Sequence, residues 1–122
     1  MILVDTSVWI DHLRRSVAEL IVSLEGTMVV VHPLVIGELA CGNLKNRATI
    51  LDALRRLPSA VEATHDEALM FIERHGLMGR GIGYIDALLL ASTALGGDTR
   101  LWTRDQRLGR VAQSLDLSYS VP

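Results

Sequence analysis

The chain has 122 residues, 49% of them hydrophobic, one cysteine and a formal net charge of −2. That length predicts a single domain, residues 1–122, with a core of its own, and the lone Cys41 excludes an internal disulfide. The near-neutral charge excludes a broadly basic nucleic-acid surface, and no apolar run approaches the ~20 residues a membrane span takes.

The chain opens with MILVDTSVWI, in which four apolar residues run into Asp5, Thr6 and Ser7. An apolar run without alternation predicts a central parallel strand buried on both faces. Ligands in open α/β sheets gather outside the carboxyl ends of such strands, which makes Asp5 the first candidate. Asp, Thr and Ser are also favoured helix caps, so Asp5 alone supports either reading.

Ser7 to Arg15 predicts a short helix, with Asp11 paired to Arg14 and Arg15 at helical spacing. Ser16-Val17-Ala18-Glu19 has the form of a capping box, which assigns Glu19 to a helix start. Met28 to Val31 predicts a second strand, and His32-Pro33 opens a helix running to about Gly42. Glu38 falls among that helix's apolar positions, where an ionised carboxylate is costly unless something positive meets it. Cys41, between Ala40 and Gly42, reads as a small core residue.

Asn46 to Leu57 predicts an amphipathic helix whose Asp52 pairs with Arg55 and Arg56. Ala60 to Ala63 reads as a short peripheral strand, and Thr64-His65-Asp66-Glu67 as a second capping box. The glycine-rich GLMGRGIG, residues 76–83, exposes Arg80 but lacks the Lys-Ser/Thr of a phosphate loop. Asp86 then sits in the first turn of the apolar helix through Leu88 to Leu95, where the helix dipole favours a carboxylate. Arg100 to Thr103 predicts another strand, after which Asp105 repeats the situation of Asp5. A helix through Leu108 and Leu115 and a last strand, Leu117 to Val121, complete the chain.

Subtracting the acids explained by caps, turns and helical pairs leaves Asp5, Glu38, Asp86 and Asp105. Carboxylates converging in one cleft repel one another unless a cation neutralises them, and Mg²⁺ or Mn²⁺ suits an all-oxygen ligand set. The four histidines show no paired ligand spacing, which argues against zinc. Such a site suits phosphoryl hydrolysis, with Asp5, Asp86 and Asp105 carrying metal and Glu38 orienting the attacking water. Ser7 and Thr103 stand beside the strand-end acids, able to bind metal water or to act as caps.

In MILVDTSVWID, in VIGELACG around Glu38, in GIGYIDALLLASTA around Asp86 and in LWTRDQRL around Thr103 and Asp105, the chain resembles the PIN-domain ribonucleases, and among them the VapC-type toxins. The resemblance implies a three-layer α/β/α fold with a central parallel sheet of about five strands. It implies Mg²⁺- or Mn²⁺-dependent endonucleolytic cleavage of RNA, such as tRNA or rRNA, by a homodimer silenced by a VapB-like antitoxin, while the lone cysteine points independently to a reducing, cytoplasmic setting. Arg80, Arg104 and Arg107 are candidates for RNA-phosphate contacts. Against this stand a phosphatase using Asp5 as nucleophile, which lacks a second acid at Ser7, and an adhesion module, which lacks a serine at Trp9. A PIN scaffold that binds RNA or antitoxin without cutting is the remaining alternative.

Overall fold

A computed structural model describes residues 1–122. Three strands, β1 (Ile2–Val4), β2 (Val29–Val30) and β3 (Arg100–Trp102), form a parallel sheet in the order β2-β1-β3. Leu3 faces Val30 on one side and Leu101 on the other. Seven helices flank the sheet: α1 (Thr6–Arg14), α2 (Ala18–Glu25), α3 (Pro33–Ala40), α4 (Arg47–Arg56), α5 (His65–His75), α6 (Tyr84–Leu95) and α7 (Gln106–Ser114).

The two expected outer strands are reduced to single bridges, Val31 with Ser59 and Leu101 with Ser118, both parallel. Each is closed by two backbone bonds: the Val31 N–H to the Pro58 carbonyl and Ala60 back to Val31, and the Leu101 N–H to Leu117 and Tyr119 back to Leu101. Pro58 has no N–H to extend the first ladder. The sheet therefore has three strands and two bridged edges rather than five strands.

Burial explains the opening run. Ile2, Leu3 and Val4 are all at most 4% exposed, although successive side chains point to opposite faces. Both faces of β1 are thus covered, and each of these side chains contributes roughly 1.5–3 kcal/mol through burial. The longest helix, α6, is buried continuously from Ala87 to Thr93, as expected of a segment that is apolar on all sides over those two turns. Its hydroxyls are satisfied: Ser92 accepts the Ala63 N–H at 3.0 Å and Thr93 donates to the Leu89 carbonyl at 2.7 Å.

Helix starts divide into two kinds. The Thr64–Glu67 capping box forms at α5, which ends on Gly76 in the left-handed region at φ 60°. The box expected at Ser16 does not form, because α2 starts one residue later with Val17 as its cap. The N–H of Val17, the residue that caps α2 in place of Ser16, donates to His12 Nδ1 of α1 at 3.0 Å.

Candidate active site

Chain order sets the position of the site. From central β1 the chain goes first to β2 on one side and later to β3 on the other, so the sheet switches direction at β1, and crevices form at the carboxyl ends of strands flanking such a point. Asp5 follows β1 directly; its N–H donates to the Trp102 carbonyl at 2.9 Å, the last rung between β1 and β3. Thr103, Arg104 and Asp105 follow β3 at the same edge.

Asp5 is 7% exposed and occupies the cap position of α1 without capping it. Its Oδ2 accepts hydrogen bonds from Ser7 Oγ and from Thr103 Oγ1, each at 2.8 Å. An ionised carboxylate can only accept, so both hydroxyls donate to it, and each in turn accepts a backbone N–H: Arg104 donates to Ser7 Oγ at 3.0 Å and Asp105 to Thr103 Oγ1 at 3.1 Å. A hydroxyl has one proton to give, so each is committed to Asp5, and the 3.3 Å approach of Ser7 Oγ to Thr103 Oγ1 is a contact between two acceptors. One oxygen of Asp5 is clamped in this way, and no cation pairs with either.

Each of the other acids leans on a local donor. Asp105 caps α7, its Oδ1 accepting the Leu108 N–H at 2.9 Å. Asp86 reaches back from the first turn of α6 to the Gly83 N–H at 3.3 Å. Glu38 is exposed rather than set in the apolar stripe of α3, because the stripe that packs inward is Val35 and Leu39. Its Oε1 accepts from Thr6 Oγ1 at 2.6 Å, which ties α3 to the residue next to Asp5. Thr6 had no functional reading in the sequence; its role depends on a contact between residues 32 apart.

Electrostatics links the four. Asp86 has its pKa raised above the ordinary carboxylate value, chiefly by burial, with Asp5, Asp105 and Glu38 adding repulsion against the opposing hydrogen bond from Gly83. The only ion pairs in the protein are Arg56–Asp52 and Arg104–Asp11, so no side-chain cation neutralises the group. No three of these acids are drawn together as a formed ligand cage, since Asp86 and Asp105 are each turned onto a backbone N–H. The donor set nonetheless fits a hard divalent cation: only oxygens, a surplus of negative charge and one buried carboxylate with a free oxygen.

The arginines separate. Arg104 is bound to Asp11 at 2.8 Å, which replaces the pairing of Asp11 with Arg14 and Arg15 and leaves Arg104 less free to meet RNA. Arg80 and Arg107 are exposed. Arg107 lies along the glycine loop, where a side chain at Gly81, with φ +81°, would come within 3.0 Å of its Cδ. One further expectation is corrected: Cys41 is exposed at the end of α3 rather than in the core. His32, 2% exposed, lies two residues past β2 and caps α3, its Nδ1 accepting the Leu34 N–H at 3.1 Å.

A parallel sheet flanked by helices, with acids collected at the carboxyl end of its central strand, defines the class. The family model for the PIN domain matches residues 2–114, and the chain belongs to the PIN-domain family. Among its relatives is Ribonuclease VapC32 of Mycobacterium tuberculosis, 54% identical over 108 residues in each of two strains, which covers 88% of this chain and 87% of that protein.

Proposed function

We propose that this chain is a VapC-type endoribonuclease, a single PIN domain over residues 1–122 that hydrolyses RNA phosphodiester bonds with Mg²⁺ or Mn²⁺. The observation that carries the chemistry is the group of four carboxylates with no cationic partner, whose mutual repulsion helps raise the pKa of Asp86. The name of the 54%-identical relative supports RNA as substrate.

In this reading Asp5, Asp86 and Asp105 hold the ion. When bound, the ion supplies charge neutralisation at the phosphate and a water of lowered pKa. Ser7 and Thr103 keep Asp5 in one rotamer, so the free oxygen is presented without an entropic cost at the time of binding. Glu38, exposed and held through Thr6, accepts the proton of the attacking water. Arg80 and Arg107 contact RNA phosphates, with Arg104 joining them where its pair with Asp11 opens.

A VapB-like antitoxin, a homodimer and a cytoplasmic location complete the proposal. Apolar side chains exposed on α5 and α6, among them Met70 and Leu95, support a second copy as partner, and no helix is long and apolar enough to cross a membrane. The test is incubation of the purified protein with total RNA in Mg²⁺ or Mn²⁺. Cleavage is expected, and is expected to stop with EDTA or with Asp5→Asn; cleavage that persists under either condition would refute the assignment.

A further inference from the structure

Next to Glu38 a pocket of about 600 Å³ opens between α1, α3 and α4, a volume within the ~300–1,000 Å³ of small-ligand sites. Its floor is apolar, built from Leu13, Leu39 and Ile50. Around its rim stand two amides, Asn43 and Asn46, and two cations, Arg14 and Lys45. Neither cation belongs to an ion pair, and Lys45 is the only lysine of the chain.

The rim is built to shape. Arg47 holds the α3–α4 loop by donating from its two terminal nitrogens to the Gly42 and Ala40 carbonyls. Asn46 precedes α4 in the left-handed region at φ 52° and makes no side-chain cap bond. Asn is well tolerated in that conformation, and its amide, which helix starts ordinarily use, is left with both donor and acceptor available.

We propose that this pocket is a nucleobase subsite that selects the base next to the scissile phosphate, a reading that rests on the endoribonuclease assignment above. An unstacked RNA base is recognised by an apolar or aromatic surface under its face and by hydrogen bonds along its edge, and the floor and the two amides offer both. The free cations complement the flanking phosphates in a protein whose net charge is otherwise negative. Glu38 is shared between the pocket and the carboxylate group, so a strand with its phosphate at the acids has its neighbouring base beside the pocket mouth. Apolar peptide would use the floor but leave the amides and cations without a role.

The test uses short single-stranded RNAs that vary one base on either side of a mapped cleavage point, assayed with Asn43→Ala and with Asn46→Gly, which removes the amide at a backbone angle glycine accepts. The wild-type protein should prefer one or two bases at one flanking position by roughly ten- to hundredfold in kcat/KM, and each variant should collapse that ratio toward one. A wild-type enzyme without preference there, or variants that keep it, would overturn the subsite and leave the ribonuclease reading standing. Absence of any cleavage by the wild type would instead remove the ribonuclease reading and the subsite with it. As a readout independent of turnover, the four nucleoside 5′-monophosphates should shift the side-chain amide resonances of Asn43 and Asn46 selectively. Equal shifts with ribose 5-phosphate, or none, would also overturn it.

Discussion

Thr103→Val tests the clamp on Asp5 directly. The substitution keeps the shape of the side chain and removes one hydroxyl, which donates to a buried carboxylate at 2.8 Å and accepts from the Asp105 N–H at 3.1 Å. Asp105 is exposed, so water replaces the second bond at little cost. The first is a bond to a charged acceptor, where the net contribution is about 1.5–3 kcal/mol. Ser7 still holds Asp5 Oδ2, so the carboxylate is not left bare and a loss of about 2 kcal/mol is expected. For a chain of this length unfolding releases roughly 0.26 kcal/mol per kelvin, which turns that loss into a fall of about 8 °C in Tm. Thermal melts in EDTA measure this without metal linkage, and RNA cleavage should fall at least about tenfold as Asp5 loses its fixed rotamer. Thr103→Ser restores the hydroxyl and should recover most of both. A valine variant that melts with the wild type, or a serine variant that loses as much as valine, would refute the clamp.

Asp86→Asn retains an acceptor for the Gly83 N–H but removes the charge that burial and three carboxylates disfavour; its Tm in EDTA should rise above the wild type while RNA cleavage is lost, and a lowered Tm would contradict the repulsion. The same raised pKa means that the folded state holds the Asp86 proton to higher pH than the unfolded chain, so this residue's contribution to stability weakens as pH rises through that window. Mg²⁺ should oppose that repulsion: at ten times its Kd, differential scanning fluorimetry should read about 1.4 kcal/mol, or about 5 °C, of stabilisation, and an unchanged melt at saturating Mg²⁺ would exclude binding to the folded site. His32, pushed below its ordinary value by burial with Glu62 partly opposing, takes up a proton more readily when unfolded; its contribution is whole above about pH 6.5 and is lost as pH falls from there through its folded value. His32→Asn keeps a side chain suited to capping α3 and should flatten that acid limb in urea titrations, whereas an unchanged slope would assign the acid sensitivity elsewhere.

Much of the site is legible in the sequence because it is built from local grammar. Apolar runs that end in Asp5 and in Thr103-Arg104-Asp105 mark strand ends, and the Asp86 helix declares itself by its composition. Two of the misses share one cause, which is competition from partners far apart in the chain. Asp11 meets Arg104 instead of its helical neighbours, and Thr6 binds Glu38 rather than serving only its own helix. His32 is buried because the cap of α3 lies inside, two residues past β2.

What the sequence determined by itself is therefore the class of fold, a parallel sheet under apolar helices, and the short list of four candidate acids, since periodicity and composition are properties of short segments. The order of the strands was decided only by tertiary structure. Burial of β1 on both faces puts it between β2 and β3 and so brings Asp5 beside Thr103 across 98 residues. Tertiary structure also decided that two hydroxyls meet on one carboxylate oxygen, because Thr103 Oγ1 reaches Asp5, and the Arg104 N–H reaches Ser7 Oγ, only through the pairing of β1 with β3.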